Sequence, residues 1–291
     1  MRVLGRILCA ALVLGFWIAP AAAHDPAPVP GPATIEAPGL SLSGVFAQGG
    51  LILGRTEPGA EVLFDGAAIM VSPEGLFVVG FGRDHGDESA LVVCLSGGRE
   101  IARTLAVSRR AYDIQRINGL PPKQVTPPQE LLDRIRRENA LIGVARAAAS
   151  PETWFGDGFV WPARGPISGV FGSQRVLNGE PRQPHFGVDV AAPVGTPVTA
   201  PAPGRVVLAE TDLFYTGGTV ILDHGHGVTS AFLHMSKVHV GVGDFLETGD
   251  PLGEVGATGR VTGAHLDWRI NWFKTRIDPQ LLVGPMEAAG N

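Results

Sequence analysis

The sequence predicts a mainly β protein, with a C-terminal antiparallel β domain preceded by a small β-sandwich-like domain and a linking helix. Three observations carry this. Residues 39–108 hold short apolar runs such as "GLFVVGF" and "SALVVCLSG", separated by the turn signals "DG", "PEG" and "GG". Past Phe159 come further β-rich runs, "TPVTAPAPGRVVLAE", "GGTVILDHG", "GVTSAFLHMS" and "HLDWRINWF", with few long helical periods between them. Between the two regions lies one helical pattern, "TPPQELLDRIRRENALIGVARAAAS".

In chain order, residues 1–23 read as a secretory signal. Arg2 and Arg6 form a basic start, "ILCAALVLGFWIA" is a short apolar stretch, and "PAAA" supplies small residues for cleavage near Ala23/His24. The apolar run falls short of the ~20 residues that span a bilayer, so no transmembrane segment is expected in the mature chain, and a periplasmic or secreted location is. Residues 24–38, rich in Pro and Ala, read as an extended linker. The 39–108 module is expected to fold independently. Within it, "RDHGDE" clusters Asp84, His85 and Asp87, and a polar hairpin tip fits them better than a metal site.

Residues 109–158 are expected to form a connector with a helix at about 127–149. Thr126 is placed to cap it, Pro127 suits its first position, Gln129 completes a capping-box spacing and Pro151 follows its end. Arg134, Arg136, Arg137 and Arg146 make it basic; a solvated helix packed on a neighbouring domain is the plain reading, and contact with an anionic envelope polymer the alternative. Residues 159–284 form the second β domain, with a tail at 285–291. Without the signal the chain holds 21 basic against 28 acidic residues, a charge near −7, which argues against nucleic acid as a general partner. Cys94 is then the single cysteine, so no intramolecular disulfide supports the fold.

The stretch "GAHLDWRI", residues 263–270, alternates: His265, Asp267 and Arg269 share one parity, and Leu266, Trp268 and Ile270 the other. In a strand this puts three reactive groups on one face and a core-forming set on the opposite face. Together with "PHFGVDVAAPVGTPV" and "AFLHMS", and with the flanks "GVFGSQR" and "VILDHGHG", this stretch resembles the LytM-type M23 zinc metallopeptidases, which cut peptide crosslinks in bacterial cell walls. The resemblance covers roughly residues 159–284 and implies Zn²⁺ as cofactor and peptidoglycan as substrate, with other wall hydrolases or envelope proteins as further partners. It makes His185 and Asp189 the first two metal ligands, His265 the base that assists water attack, and His234 a group that hydrogen-bonds or stabilises the oxyanion.

Residues four apart on an undistorted strand lie about 13 Å apart, so chelation by His185 and Asp189 needs a bend, which Gly187 can permit. Asp267 departs from the family's pattern, which has a His there as third ligand. A carboxylate can bind zinc at about 2.0–2.2 Å, but a His-Asp-Asp set formally cancels the ion's charge and predicts weaker polarisation of the substrate. The alternative to a zinc endopeptidase is a non-catalytic module of the same fold that binds wall or activates another hydrolase. His224 and His226, in "DHGHG", read as turn residues rather than spare ligands.

Overall fold

The computed structural model describes residues 29–117 and 131–286. The expected signal at 1–23, the helix cap Thr126 and residues 287–291 of the expected tail lie outside them. Among the described residues, those from 29 to 108 hold eight strands: β1 (Ala33–Ala37), β2 (Leu40–Gly44), β3 (Leu51–Thr56), β4 (Glu61–Phe64), β5 (Ala67–Ala68), β6 (Leu76–Gly80), β7 (Glu88–Cys94) and β8 (Glu100–Ala106). They form two four-stranded antiparallel sheets, in the orders β1-β2-β3-β6 and β5-β4-β7-β8. Alternate residues of β7 point inward, and Leu42, Ile52, Phe77, Phe81, Leu91 and Leu105 fill the core. Asp84, His85 and Asp87 take separate partners: Arg83, Ser89 and Arg109.

The expected linker is shorter than its composition implies. Residues 33–37, "ATIEA", pair with β2 as an edge strand, and Ile35 packs on the core; a single β-branched apolar residue in an alternating pentapeptide suffices once a neighbour supplies the ladder. The connector also contains a strand that local pattern does not reveal, β9 (Ile114–Ile117). The helix α1 runs Leu132–Arg146, without a side-chain cap at Leu131. It ends before the expected 149 because the Ser150 carbonyl accepts the N–H of His226, drawing the chain away ahead of Pro151.

The second half comprises β10 (Ile167–Gly169), β11 (Gln174–Leu177), β12 (Glu180–Pro181), β13 (Val188–Ala191), β14 (Pro197–Thr199), β15 (Gly204–Leu213), β16 (Gly217–Asp223), β17 (Val228–Met235), β18 (Lys237–Val238), β19 (Phe245–Leu246), β20 (Pro251–Glu254), β21 (His265–Trp272) and β22 (Thr275–Ile277). The main sheet runs β10-β13-β21-β17-β16-β15-β19, with β22 on β21. Its pairs are antiparallel; among the described strands β9 pairs in parallel, with β11. Strands β16 and β17 are buried throughout because both faces are covered. One face meets Val190, Trp268 and Leu252, and the other meets Ile142 and Ala145 of α1, seated on Leu208, Ile221 and Leu233.

The two halves share side chains. Leu51, Leu76 and Val78 belong to the core under the main sheet, whereas Trp272 packs edge-on against Phe64, ring centroids 5.8 Å apart. A buried ion pair, Arg110 Nη2 to Asp278 Oδ2 at 2.8 Å, joins them as well.

Candidate metal and catalytic site

The site grows from the register of three neighbouring strands. Asp189 on β13 lies directly opposite Asp267 on β21, and Ala191 opposite His265; on the other flank Leu233 of β17 faces Asp267. Two carboxylates facing each other across a ladder repel, so the pairing needs cationic groups around it. His185 precedes β13 and is fixed by its backbone, which donates to the Ser173 carbonyl and accepts from the Gly172 N–H. Its Nε2 lies 3.2 Å from Asp189 Oδ1.

Candidate ligand atoms of His185, Asp189 and Asp267 all fall within 4.8 Å of one another, the single such group among the described residues. Buried His185 Nε2 and Asp189 Oδ1 make no hydrogen bond, and with the imidazole neutral both are acceptors free to take a cation. Asp267 is different. Arg269, two residues along the same strand face, grips its carboxylate in a fork, Nε to Oδ1 at 2.9 Å and Nη2 to Oδ2 at 2.5 Å. Burial favours the neutral acid, but the guanidinium outweighs it and holds the Asp267 carboxyl down at about 2. Burial likewise works against the His185 imidazolium, yet the Asp189 and Asp267 carboxylates win and raise its pKa.

Glycines make room for both acids. A Cβ at Gly169 would stand 2.1 Å from Asp189 Oδ2, and one at Gly187 would stand 2.5 Å from Asp267 Oδ1 and 2.7 Å from Arg269 Cγ. Gly187 therefore serves close approach, in addition to any bend in the chain.

His234 and His265 stand together, ring centroids 4.9 Å apart. His265 Nδ1 lies 2.9 Å from the Gly263 carbonyl and His234 Nδ1 lies 2.9 Å from the Thr258 carbonyl. Each Nδ1 must donate, since a carbonyl only accepts, and each neutral ring then presents a bare Nε2. For His265 the lone pair sits 3.8 Å from Asp189 Oδ1, beside the ligand cluster, where a base belongs. For His234, whose pKa burial lowers, Nε2 lies 4.0 Å from Asp267 Oδ2. A neutral His234 thus offers an acceptor at Nε2, and donating to an oxyanion there would take the protonated ring. Its left-handed backbone, φ 67°, breaks the strand alternation, and consecutive Leu233 and His234 both line the groove beside the cluster.

The turn histidines stay apart from this cluster. His224 is buried between the Pro203 carbonyl and Ser230 Oγ, at 2.6 and 2.7 Å, and His226 packs against Phe155. Sequence reasoning missed the roles of Arg269 and Gly169; the spacing Asp267-x-Arg269 on one strand face was the available signal for the first.

Fold and site define a β-sheet protein with a metal-competent His-Asp-Asp cluster flanked by two imidazoles, the equipment of a hydrolase. The profile of Peptidase family M23 matches residues 183–279. A Pseudomonas aeruginosa crystal structure described as an M23 peptidase candidate is 31% identical, covering 81% of this chain and 94% of that one, with a TM-score of 0.62. This chain belongs to peptidase family M23. Among curated relatives, the peptidoglycan DD-endopeptidase ShyA of Vibrio cholerae is 40% identical over 87 residues, and the cell division protein DipM of Caulobacter vibrioides 32% over 127 residues. These alignments take in 30% and 44% of this chain, and 20% of each relative.

Proposed function

We propose that the protein is a zinc-dependent endopeptidase that hydrolyses peptide crosslinks of peptidoglycan, in the periplasm or outside the cell after its first 23 residues are removed. The observation that carries this reading is the cross-strand pairing of Asp189 with Asp267 beside His185, which leaves two buried acceptor atoms open to a cation. His185, Asp189 and Asp267 would hold the ion. When bound, it polarises the scissile carbonyl and acidifies water. His265, its Nδ1 anchored on Gly263, takes the proton from attacking water at Nε2 and returns it to the leaving amine. His234 accepts a second hydrogen bond at Nε2 and orients that water.

Arg269 changes the charge argument for Asp267. Its guanidinium offsets the extra carboxylate, so His185, Asp189, Asp267 and Arg269 together carry one net negative charge, as a His-Asp-His set does, and a divalent ion would leave one positive unit in either case. The residual charge on the metal, and with it the expected polarising power, is then retained. The same fork favours the second reading, a non-catalytic wall-binding module, because a fixed cation already satisfies Asp267. Zinc content and release of crosslinked peptides from purified wall, measured on the mature chain, separate the two. The peptidase reading expects bound zinc and cleavage, and His265→Ala should keep the metal while the rate falls by about 10² to 10⁴. A wild-type protein that cuts nothing at saturating zinc belongs to the module class.

A further inference from the structure

A groove of about 1260 Å³ runs past His185, Asp189 and His234, between α1 and the hairpin of β11 and β12. Among its described lining residues are six arginines, Arg146, Arg175, Arg182, Arg260, Arg269 and Arg276, and two acids, Asp113 and Asp189. In a chain of net charge −5 this is a local inversion of sign. Outside the groove Arg83, Arg99, Arg109, Arg110, Arg134 and Arg136 each hold a carboxylate, while Arg103 and Arg205 donate to backbone carbonyls. In the groove only Arg269 does so among the described residues, and its carboxylate is Asp267.

The arginines are also set in ways that suit an anion. The Arg182 N–H donates to the Arg175 carbonyl across the hairpin, so two like charges stand opposite each other, an arrangement that costs stability unless a counter-charge lies between them. On the other wall, α1 ends at Arg146, which is largely buried. Burial and its neighbours Arg276 and Arg269 push its pKa down to about 9. The Nε atoms of Arg146 and Arg182 are buried with no hydrogen-bond partner. Arg260 lies over the Tyr215 ring, 5.3 Å from its centroid, a stacking that leaves the guanidinium edge free to donate.

We propose that this groove binds the free carboxylates of an acidic peptide, with Arg175, Arg182 and Arg146 as the residues that take them. The guanidinium fork matches a carboxylate in two parallel hydrogen bonds, and arginines spread along a groove suit several carboxylates on one chain better than a single compact anion. That the ligand is a peptide rests on the peptidase reading, because the same groove passes the candidate reacting site.

Calorimetric titration of the full chain, stripped of metal so that nothing is hydrolysed, tests this. The probes are acetyl-Ala-Glu-Ala-Asp-Ala-amide and its Gln/Asn isostere. The acidic peptide should bind at least about tenfold tighter, as one or two charge-assisted pairs imply, and the preference should shrink as salt rises from about 0.05 to about 0.5 M. The double variant Arg175→Gln/Arg182→Gln should lose the preference, and Arg103→Gln, which removes the same kind of charge outside the groove, should keep it. Equal affinity of wild type for the two peptides overturns the proposal whatever the variants do, as does a preference that survives the double substitution. Tight binding of inorganic polyphosphate with none of the acidic peptide overturns it too, in favour of a phosphate polymer. Loss of cleavage in the zinc-loaded protein with the acidic preference intact counts against the peptidase reading alone.

Discussion

Asp267 and Arg269 form one ionic unit on a single strand face: a carboxylate 3% exposed, held at 2.5 Å by a guanidinium 22% exposed. Removing one partner of such a pair strands a buried charge, which costs about 3 kcal/mol. Arg269→Ala should therefore unfold at lower temperature than wild type. Saturating zinc should then raise the variant's melting temperature more than the wild type's, because a divalent ion replaces the lost cation and ligand binding adds to stability. Equal zinc shifts in the two proteins would remove Asp267 from the ligand set.

Gly187→Ala tests the same unit by volume instead of charge. The added methyl would meet Asp267 Oδ1 at 2.5 Å and the Trp268 carbonyl at 2.7 Å, so the fork must shift or the strands must part. Overpacking of this kind costs about 1–3 kcal/mol, and zinc affinity should fall with it. An alanine variant with wild-type stability in urea and wild-type zinc binding would mean that the strands tolerate wider spacing.

Much of this site was legible in one dimension. The alternation of residues 263–270 placed Leu266, Trp268 and Ile270 in the core, and all three are fully buried. The motif matches named His185, Asp189 and Asp267, which the fold brings together. What a linear reading could not supply was register: that Asp189 meets Asp267 directly, that two glycines clear space for the acids, and that Arg269 returns to its own neighbour. Those depend on the pairing of distant strands. The same limit hid β1 and β9, whose short sequences become strands only because β2 and β11 offer them a ladder. The His234 hydrogen-bond direction was also out of reach, since it turns on the Thr258 carbonyl in a separate loop.

Independent folding of residues 39–108, expected from their turn-punctuated strands, is tested just past their end, where Arg110 donates to Gln48 of the module and pairs with Asp278 of the second half. Burial raises the Asp278 pKa against the pull of Arg110, and its side chain is 1% exposed. Arg110→Ala should cost about 3 kcal/mol by leaving that carboxylate without its cation. Because Leu51 and Trp272 also cross between the halves, both should unfold together, and tryptophan fluorescence, which in the mature chain comes from Trp154, Trp161, Trp268 and Trp272, should give urea transitions coincident with those of far-ultraviolet dichroism. Two separated transitions would restore the independent module.

His224 predicts how stability follows pH. Its ring is fully buried, and burial pulls its pKa down to about 4 against the Pro203 carbonyl, which favours the protonated form. Unfolded, the same side chain titrates near 6.5. Between these values the unfolded chain holds a proton that the folded chain lacks, so stability rises with pH at about 1.4 kcal/mol per unit. The contribution is complete above about pH 6.5 and is lost as pH falls toward 4, about 3 kcal/mol in all. His224→Gln, which keeps an amide donor for the Pro203 carbonyl and an oxygen for Ser230, removes the titration. Urea melts from pH 7 down to pH 4 should show a shallower decline for this variant than for wild type. Parallel declines would assign the acid sensitivity to other groups.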